Sequence, residues 1–208
     1  MNVNEVYQNY QTPKSLQEHM LRVASLASIL LDNWTGTSLD KDAIINACTI
    51  HDIAKPMTFD LAKQAQFGMS ESDIEKLRLF QIEIKAKYGE QEHQATIGIC
   101  KAVGCDAHTV QFVNNLEWKY IPRLFQEQDT ASLIPIYCDM RIGPKGILPL
   151  QVRLEELKKR VNGDDYEDNV KNGNAAEQEI IKNVQVDVNS ITTEQLDRNF
   201  ETLLQMEL

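Results

Sequence analysis

The chain has 208 residues and a mass of 23.7 kDa, a length that favours one domain with an appendage over two large unrelated domains. Hydrophobic residues make up 42% and charged residues 25% of the sequence, which excludes collagen-like, fibrous and wholly disordered classes. The formal net charge is −10, and this acidity argues against duplex nucleic acid as a partner, because phosphate neutralisation needs clustered Lys and Arg. Residues 161–208 hold only three basic but eleven acidic side chains, so the nearly neutral remainder is compatible with a small phosphorylated substrate.

The sequence carries no signal for export or for membrane insertion. No apolar run approaches the roughly eighteen residues that a membrane span needs, and the first residues lack the basic and apolar segments of a signal peptide. We therefore expect a cytoplasmic protein without a membrane partner. The cysteines form no Cys-x-x-Cys pair, and we predict that they are reduced; they are Cys48, Cys100, Cys105 and Cys138.

Helical periodicity dominates the sequence, because apolar residues recur three and four positions apart and strict alternation is almost absent. The predicted fold class is therefore all-α. The first predicted helix covers residues 13–33 and carries a capping box formed by Ser15 and Glu18. The second begins at Asp40 and is apolar nearly all round over residues 43–50, which is typical of a helix surrounded by other helices.

The second helix ends at a polar sequence, His-Asp-Ile-Ala-Lys-Pro, over residues 51–56. The proline disfavours helical geometry in the residue before it, so the His-Asp pair is predicted to lie in the last turns of a central helix. Residues 58–69 are interpreted as a short helix or a loop. An amphipathic helix then follows, capped by Ser70 or Ser72 and ended by Gly89.

The rest of the chain predicts more helices and then a separate extension. The short connections suit a compact bundle, and the further predicted helices are 93–103, 106–116, 130–140 and 149–161. Turn formers and acids over residues 162–175 predict a linker. We therefore divide the chain into a main domain over 1–161, this acidic linker, and a C-terminal helical extension over 176–208. The extension is expected to dock on the main domain or on a second copy, which leaves a homodimer open.

Ionisable side chains cluster on the predicted apolar helices. An aspartate at position 52, at the end of a buried helix, costs several kcal/mol unless a cation or hydrogen-bond donors compensate its charge. A metal ion beside His51 and Asp52 is the simplest compensator. His19 from the first helix and Asp139 from a later one are candidates to complete the ligand set.

The order of these residues along the chain resembles the signature of the HD-domain superfamily of metal-dependent phosphohydrolases: His, then His-Asp, then Asp. The local sequence HDIAK is similar to the extended form of this motif. The resemblance implies an HD-domain-like helical bundle with a metal centre that hydrolyses phosphate esters or anhydrides. It also implies that His19, His51, Asp52 and Asp139 are the metal ligands.

The resemblance extends over roughly residues 13–160 and implies roles for further residues. Asp52, Lys55 and His93 would be catalytic residues. Asp52 would bridge a second ion where one is present, Lys55 would also bind the substrate through its phosphate, and His93 would bind a second metal or phosphate. Arg22 and Arg141 are candidate substrate-binding residues only because they lie close in sequence to the predicted ligands.

The predicted ligand set favours a divalent ion without selecting one, so Mn, Fe, Co, Ni, Zn and Mg all remain open. Family members with two metals commonly have another histidine before the last aspartate, whereas this chain has Asn114, Asn115 and Glu117 there. We therefore predict one firmly held ion and leave a second one open. His108, which comes earlier, is interpreted as an exposed or capping residue.

The predicted function is hydrolysis of a phosphate ester or anhydride of a nucleotide, or of another small phosphorylated metabolite, by a metal-activated water. The alternative is a catalytically silent regulatory module that binds metal and nucleotide. A third interpretation is a purely structural bundle, in which His51 and Asp52 form a buried polar pair, Asp139 is a surface acid and Lys55 complements a helix dipole. Aromatic candidates for contacts with a base or sugar include Phe59 and Phe67.

Overall fold

The structure, a computed structural model, describes residues 1–158 and 166–208, except for the side chains of Phe67 and Leu157. The described chain is helical, with one small antiparallel hairpin formed by β1 (Ile142–Gly143) and β2 (Gly146–Ile147). The all-α prediction is therefore confirmed. In chain order, the α-helices are α1 Val3–Asn9, α2 Lys14–Asp32, α3 Lys41–Ile50, α4 Leu61–Gln64, α5 Glu71–Tyr88, α6 Glu92–Val103, α7 Ala107–Asn115, α8 Ile121–Gln126, α9 Thr130–Arg141, α10 Leu150–Lys158, α11 Tyr166–Lys182, α12 Thr193–Asp197 and α13 Phe200–Leu204. Short 3-10 helices cover Lys55–Thr58, Ala65–Phe67 and Trp118–Tyr120.

Helices α2, α3 and α9 form the centre of the molecule and pack against one another. Each buries at least half of its residues, so each packs against several neighbours. Met20 of α2, Ile44 of α3 and Ile134 of α9 are fully buried in the main core. A second, smaller core lies where α8 and α10 cover the other side of α9.

The helix ends differ from the prediction at several positions. The first helix begins at Lys14 after Pro13, and no side chain caps it, so the predicted capping box at Ser15 does not form. Ser70 rather than Ser72 caps α5 by accepting a hydrogen bond from the backbone of Asp73. Helix α1 was not predicted at all.

The predicted linker is partly wrong, because helix α11 begins at Tyr166 and includes the residues up to 175. This segment is helical because it packs on α9 and α10. Ala176 and Ile180 of α11 are fully buried, and this tertiary burial outweighs the helix-breaking composition. Residues 162–165 of the predicted linker, and residues 159–161 of the helix predicted before it, lie outside the described residues.

The C-terminal segment packs directly on α2. Where one helix was predicted from Thr192, the chain forms α12 and α13, and both contact α2. Leu196 is fully buried, and its carbonyl accepts a hydrogen bond of 2.9 Å from the Ser25 hydroxyl. Near the chain ends, the backbone of Val3 donates to the carbonyl of Met206 at 3.0 Å. The extension therefore docks on the main body, while the division of the chain into a domain and an extension stays a prediction.

None of the helices in the described part of the chain combines the length and the apolar character that crossing a membrane requires.

Candidate metal centre

Three central helices bring the predicted ligands together. His19 lies in the second turn of α2, His51 is the residue that ends α3, and Asp139 lies in the last turn of α9. Asp52 follows in the tight turn after α3 and before the 3-10 helix Lys55–Thr58. The His-Asp pair thus lies immediately after the central helix rather than within its last turn.

The ligand atoms of this cluster lie close to one another. His19 Nε2 is 3.0 Å from Asp139 Oδ1, and His51 Nε2 is 3.5 Å from the same oxygen. Asp52 Oδ2 is 3.8 Å from each of these two imidazole nitrogens. Two ligands bound at about 2.1 Å to one ion lie about 3.0–3.4 Å apart at ordinary coordination angles. The observed separations are therefore close to those of a metal site, and we define the four residues as the His/Asp cluster.

The orientation of His51 favours a metal ligand. Its Nδ1 lies 2.8 Å from the carbonyl oxygen of Cys48, and because a carbonyl only accepts, Nδ1 carries the proton and donates. In the neutral imidazole, Nε2 then holds the free lone pair. This Nε2 is buried and makes no hydrogen bond with any residue that the structure describes. A backbone carbonyl that fixes the tautomer of a metal-binding histidine in this way is a common arrangement.

The electrostatic environment of the cluster favours a cation. Burial opposes the charge on Asp139, but the imidazoles of His19 and His51 outweigh this and hold the pKa of its carboxyl well below the usual value. Burial also lowers the pKa of His51, yet the charges of Asp52 and Asp139 outweigh it and raise the pKa above its ordinary value. Two carboxylates thus create a negative potential at the two imidazole nitrogens, as a cation site requires.

Lys55 pairs with the cluster from the next turn of the chain. Its Nζ donates a hydrogen bond to Asp52 Oδ2, the oxygen that faces both imidazoles. Burial lowers the pKa of the Lys55 ammonium, but the adjacent carboxylate of Asp52 outweighs this and raises it. Lys55 therefore carries a positive charge at the edge of the His/Asp cluster.

A cavity of about 230 Å³ opens beside the cluster. Its lining includes His19, Asp52 and Lys55, together with Phe59 and Arg153. A larger cavity of about 560 Å³ also has Phe59 in its lining and continues toward α5. Two of the four predicted ligands, His19 and Asp52, thus face a space large enough for a small molecule.

The structure does not bring Arg22 to this cavity as a free cation. Its guanidinium donates two hydrogen bonds to the carboxylate of Asp197, at 2.8 and 3.1 Å, and it lies against the ring of Phe200. Arg22 therefore joins α2 to the C-terminal helices, a contact that nothing in the local sequence indicates.

The prediction that Arg141 contacts the substrate is corrected by its position in the structure, because its side chain is only 2% exposed. Its guanidinium donates to the carbonyl oxygens of Leu148 and Val188, at 2.6 and 3.2 Å, and to the hydroxyl of Tyr137. These partners tie α9 to the hairpin and to the segment after α11. A guanidinium enclosed in this way is not available to a substrate.

His93 lies in a different group of contacts. Its Nε2 donates to the carbonyl of Asn114 at 3.1 Å and lies 3.9 Å from Glu117 Oε2. Glu117 in turn pairs with Lys119 at 2.7 Å. No hydrogen bond or ion pair among the described residues joins His93 to the His/Asp cluster, so its predicted catalytic role stays a prediction. His108 is exposed and bonded to Asp40 at 2.7 Å.

The cavity is lined by one aromatic residue that the sequence suggested and by one arginine that it did not. Phe59, an aromatic candidate, does line the cavity, while the side chain of Phe67 lies outside the described residues. Arg153 also lines it but was not predicted. The sequence does not indicate that Arg153 lies at the site, because it is in the middle of α10 next to the buried Leu154. Only the packing of α10 on α9 brings it near the cluster.

Comparison with known proteins agrees with this geometry. Residues 16–100 match the family model described as HD domain, a segment that contains His19, His51 and Asp52. This segment of the chain is therefore similar to an HD domain. Asp139 lies beyond the matched segment, and the fold alone brings it to the other three residues.

A human (Homo sapiens) protein, 5′-deoxynucleotidase HDDC2, is 35% identical to this chain over 57 residues. The match covers 27% of this chain and 26% of the human protein, so it spans about a quarter of each. No solved structure matches the chain.

Proposed function

We propose that this protein is a metal-dependent phosphohydrolase that cleaves a phosphate ester or anhydride of a nucleotide or of another small phosphorylated metabolite. The observation that carries the proposal is the buried Nε2 of His51. It has no hydrogen-bond partner among the described residues, and His19, Asp52 and Asp139 converge around it. A buried lone pair among two carboxylates and a second imidazole suits a bound cation better than any ligand of another class.

The residues that would hold a divalent ion are His19, His51 and Asp139, whose ligand atoms lie within 4.8 Å of one another, with Asp52 as a fourth. When bound, such an ion supplies a more acidic water and stabilises negative charge on a phosphoryl group. Mixed imidazole and carboxylate ligands accept Mn, Fe, Co, Ni, Zn or Mg. We propose one firmly held ion and leave a second one open.

The protein's own residues would position the phosphate and balance its charge. The Lys55 ammonium, which lines the cavity and is held by Asp52, would donate to a phosphoryl oxygen and neutralise the charge that develops there. The carbonyl of Cys48 would keep His51 in the tautomer that binds a cation. The catalytic role of His93 remains part of the proposal without a contact that supports it.

For the substrate we propose a 5′-deoxynucleotide, because a relative that matches about a quarter of this chain is named for that activity. The two cavities support a ligand with two parts. The smaller one adjoins the His/Asp cluster and suits a phosphate group, while the larger one beyond Phe59 has room for a sugar and a base. Phe59 offers an aromatic face between them.

The decisive experiment combines metal analysis with an activity screen of the full chain. We expect the purified protein to hold about one divalent ion per chain, and to release phosphate from 5′-deoxynucleotides with Mn, Co, Ni or Mg but not with EDTA. Asp139→Asn should weaken metal affinity more than about 100-fold, because losing a ligand exceeds the effect of losing a residue that orients one. Asp32→Asn, at an exposed surface pair with Lys41, is the control and should change nothing.

The same experiment separates the alternatives. Bound metal and tight nucleotide binding without turnover would favour the regulatory module over the enzyme. An absence of bound metal, with Asp139→Asn equal to the wild type in every measurement, would contradict the proposal and leave the His/Asp cluster as a structural polar group.

A further inference from the structure

Arg153 is a cationic residue at the candidate site that the preceding proposal does not use. Helix α10 packs on α9 through Leu150 and Leu154, each 2% exposed. This packing places the neighbouring Arg153 in the lining of the cavity that also contains Asp52 and Lys55.

The guanidinium of Arg153 lacks the hydrogen bonds that its burial requires. Its side chain is only 12% exposed, and Nε and Nη1 make no hydrogen bond with any residue in the described part of the chain. Its ionic neighbour is Glu156, 3.5 Å away on the same helix, and Glu156 Oε2 is itself without a hydrogen bond there. A desolvated guanidinium without partners is costly, unless a ligand provides the acceptors.

Two other arginines near the site, Arg22 and Arg141, differ from Arg153 in the hydrogen bonds that they make. Arg22 donates two hydrogen bonds to the carboxylate of Asp197, and Arg141 is enclosed by carbonyl and hydroxyl oxygens. Both are built into the fold. Arg153 instead lines the cavity, and its buried Nε and Nη1 make no hydrogen bond with the described residues. An anion that entered the cavity would provide acceptors for this guanidinium once its side chain turned toward it.

Charge balance indicates which anion fits. A divalent ion would neutralise the two carboxylates of Asp52 and Asp139, and Lys55 and Arg153 would then leave positive charge facing the cavity. Glu156, whose Oε2 is buried 3.5 Å from Arg153 Nη1, offsets one of these two positive charges and leaves the other. The planar guanidinium fork matches the oxygens of a phosphate group in a way that an ammonium cannot.

We propose that Arg153 binds the phosphate group of the ligand in this cavity, as the partner of Lys55. That this phosphate belongs to a substrate rests on the proposed function, whereas phosphate binding itself does not. Arg153 would hold the phosphate beside the His/Asp cluster and would not act as a metal ligand.

The test uses inorganic phosphate as the probe and the full chain, with its affinity measured by calorimetry in the presence of manganese. We expect Arg153→Gln to weaken phosphate binding at least tenfold with manganese binding unchanged. Arg78→Gln is the matched control, because Arg78 also pairs with a glutamate three residues away on its helix, at 3.1 Å from Glu75, but is 52% exposed. It should change phosphate affinity less than twofold.

Two further variants separate phosphate binding from a structural ion pair. Glu156→Gln removes the ionic partner of Arg153 and should keep or strengthen phosphate binding, whereas a purely structural pair predicts the same loss as for Arg153→Gln. Arg153→Lys keeps the charge and the aliphatic stem, so it should fold even if the glutamine variant does not, and it should still bind phosphate at least threefold more weakly than the wild type.

The outcomes distinguish this inference from the proposed function. If phosphate binding depends on Arg153 but the protein hydrolyses no nucleotide, the inference is upheld and the proposed enzymatic function is refuted. Hydrolysis with wild-type phosphate affinity in Arg153→Gln would refute the inference alone. A wild-type protein that binds no phosphate at all would also overturn the inference.

Discussion

At the scale of single residues, the site depends on one oxygen atom that several groups share. Asp52 Oδ2 accepts from Lys55 and lies 3.8 Å from each of the two cluster imidazoles. Lys55 thus compensates the carboxylate charge in the absence of a cation. With a cation bound, its ammonium is free to turn toward a ligand in the cavity, because the ion then provides the positive charge.

Because Lys55 contacts Asp52 and also lines the cavity, we predict that Lys55→Gln lowers turnover without lowering metal affinity. Metal affinity should be unchanged or higher, because a competing ammonium is gone, while kcat/KM should fall about 100-fold, the typical effect of removing one donor that stabilises developing charge. Metal content and steady-state kinetics measure the two effects. Lys63→Gln is the control, since Lys63 forms a similar pair with Asp60 but is 66% exposed. Equal kinetics in both variants would remove Lys55 from the mechanism.

At the scale of helices, the C-terminal extension is attached to the helix that carries His19. The bidentate pair between Arg22 and Asp197 joins α12 to α2 at a position one turn from His19. Such fork-shaped pairs add geometric specificity as well as energy. The extension therefore supports the helix that carries His19.

We predict that Arg22→Gln and Asp197→Asn have the same effect. Each should lower the free energy of unfolding by about 1 kcal/mol, the upper range for a partly exposed pair, and a double-mutant cycle in urea should show most of it as coupling. The pair of Lys41 and Asp32, at 3.4 Å and largely exposed, should give a coupling near zero. A higher KM in the arginine variant alone would instead restore Arg22 as a substrate-binding residue.

At the scale of the whole molecule, the first and last segments of the chain pair with each other, and the last segment adds to the main core. The isolated bridge between Asn2 and Glu207 joins the first and last segments, and Leu196 and Leu203 contribute to the main core. Each buried leucine is worth about 2 kcal/mol, and the total stability of such a domain is only about 5–15 kcal/mol. The C-terminal helices are therefore a substantial part of the folding free energy.

We accordingly predict that a chain without residues 192–208 unfolds about 10 °C below the full chain, since each lost kcal/mol lowers Tm by about 2–4 °C at this size. Thermal unfolding followed by circular dichroism measures it. Leu196→Ala should reproduce part of the loss, and Leu79→Ala, at a side chain 58% exposed on α5, should have almost none. An unchanged Tm in the shortened chain would show that residues 1–191 fold independently of the two C-terminal helices.

How much the sequence predicts depends on the range of the interactions involved. Local signals found α3, because Asp40 caps it and its apolar surface marks it as central. The same kind of signal was present for α1, where Asn2 and Glu5 form a capping box. The part of α11 before residue 176 could not be predicted, because its glycine and asparagine content disfavours a helix until Ala176 and Ile180 are buried against other elements.

The sequence alone determined the all-α class and the four residues of the His/Asp cluster, because their order, types and helical placement are properties of the chain itself. Only the tertiary structure decided which basic residues face them. Asp139 meets His19 across 120 positions of sequence, Arg141 turns into the core only two residues later, and Arg153 arrives from another helix. Proximity along the chain does not determine the direction of a side chain, whereas the packing of one helix on another does.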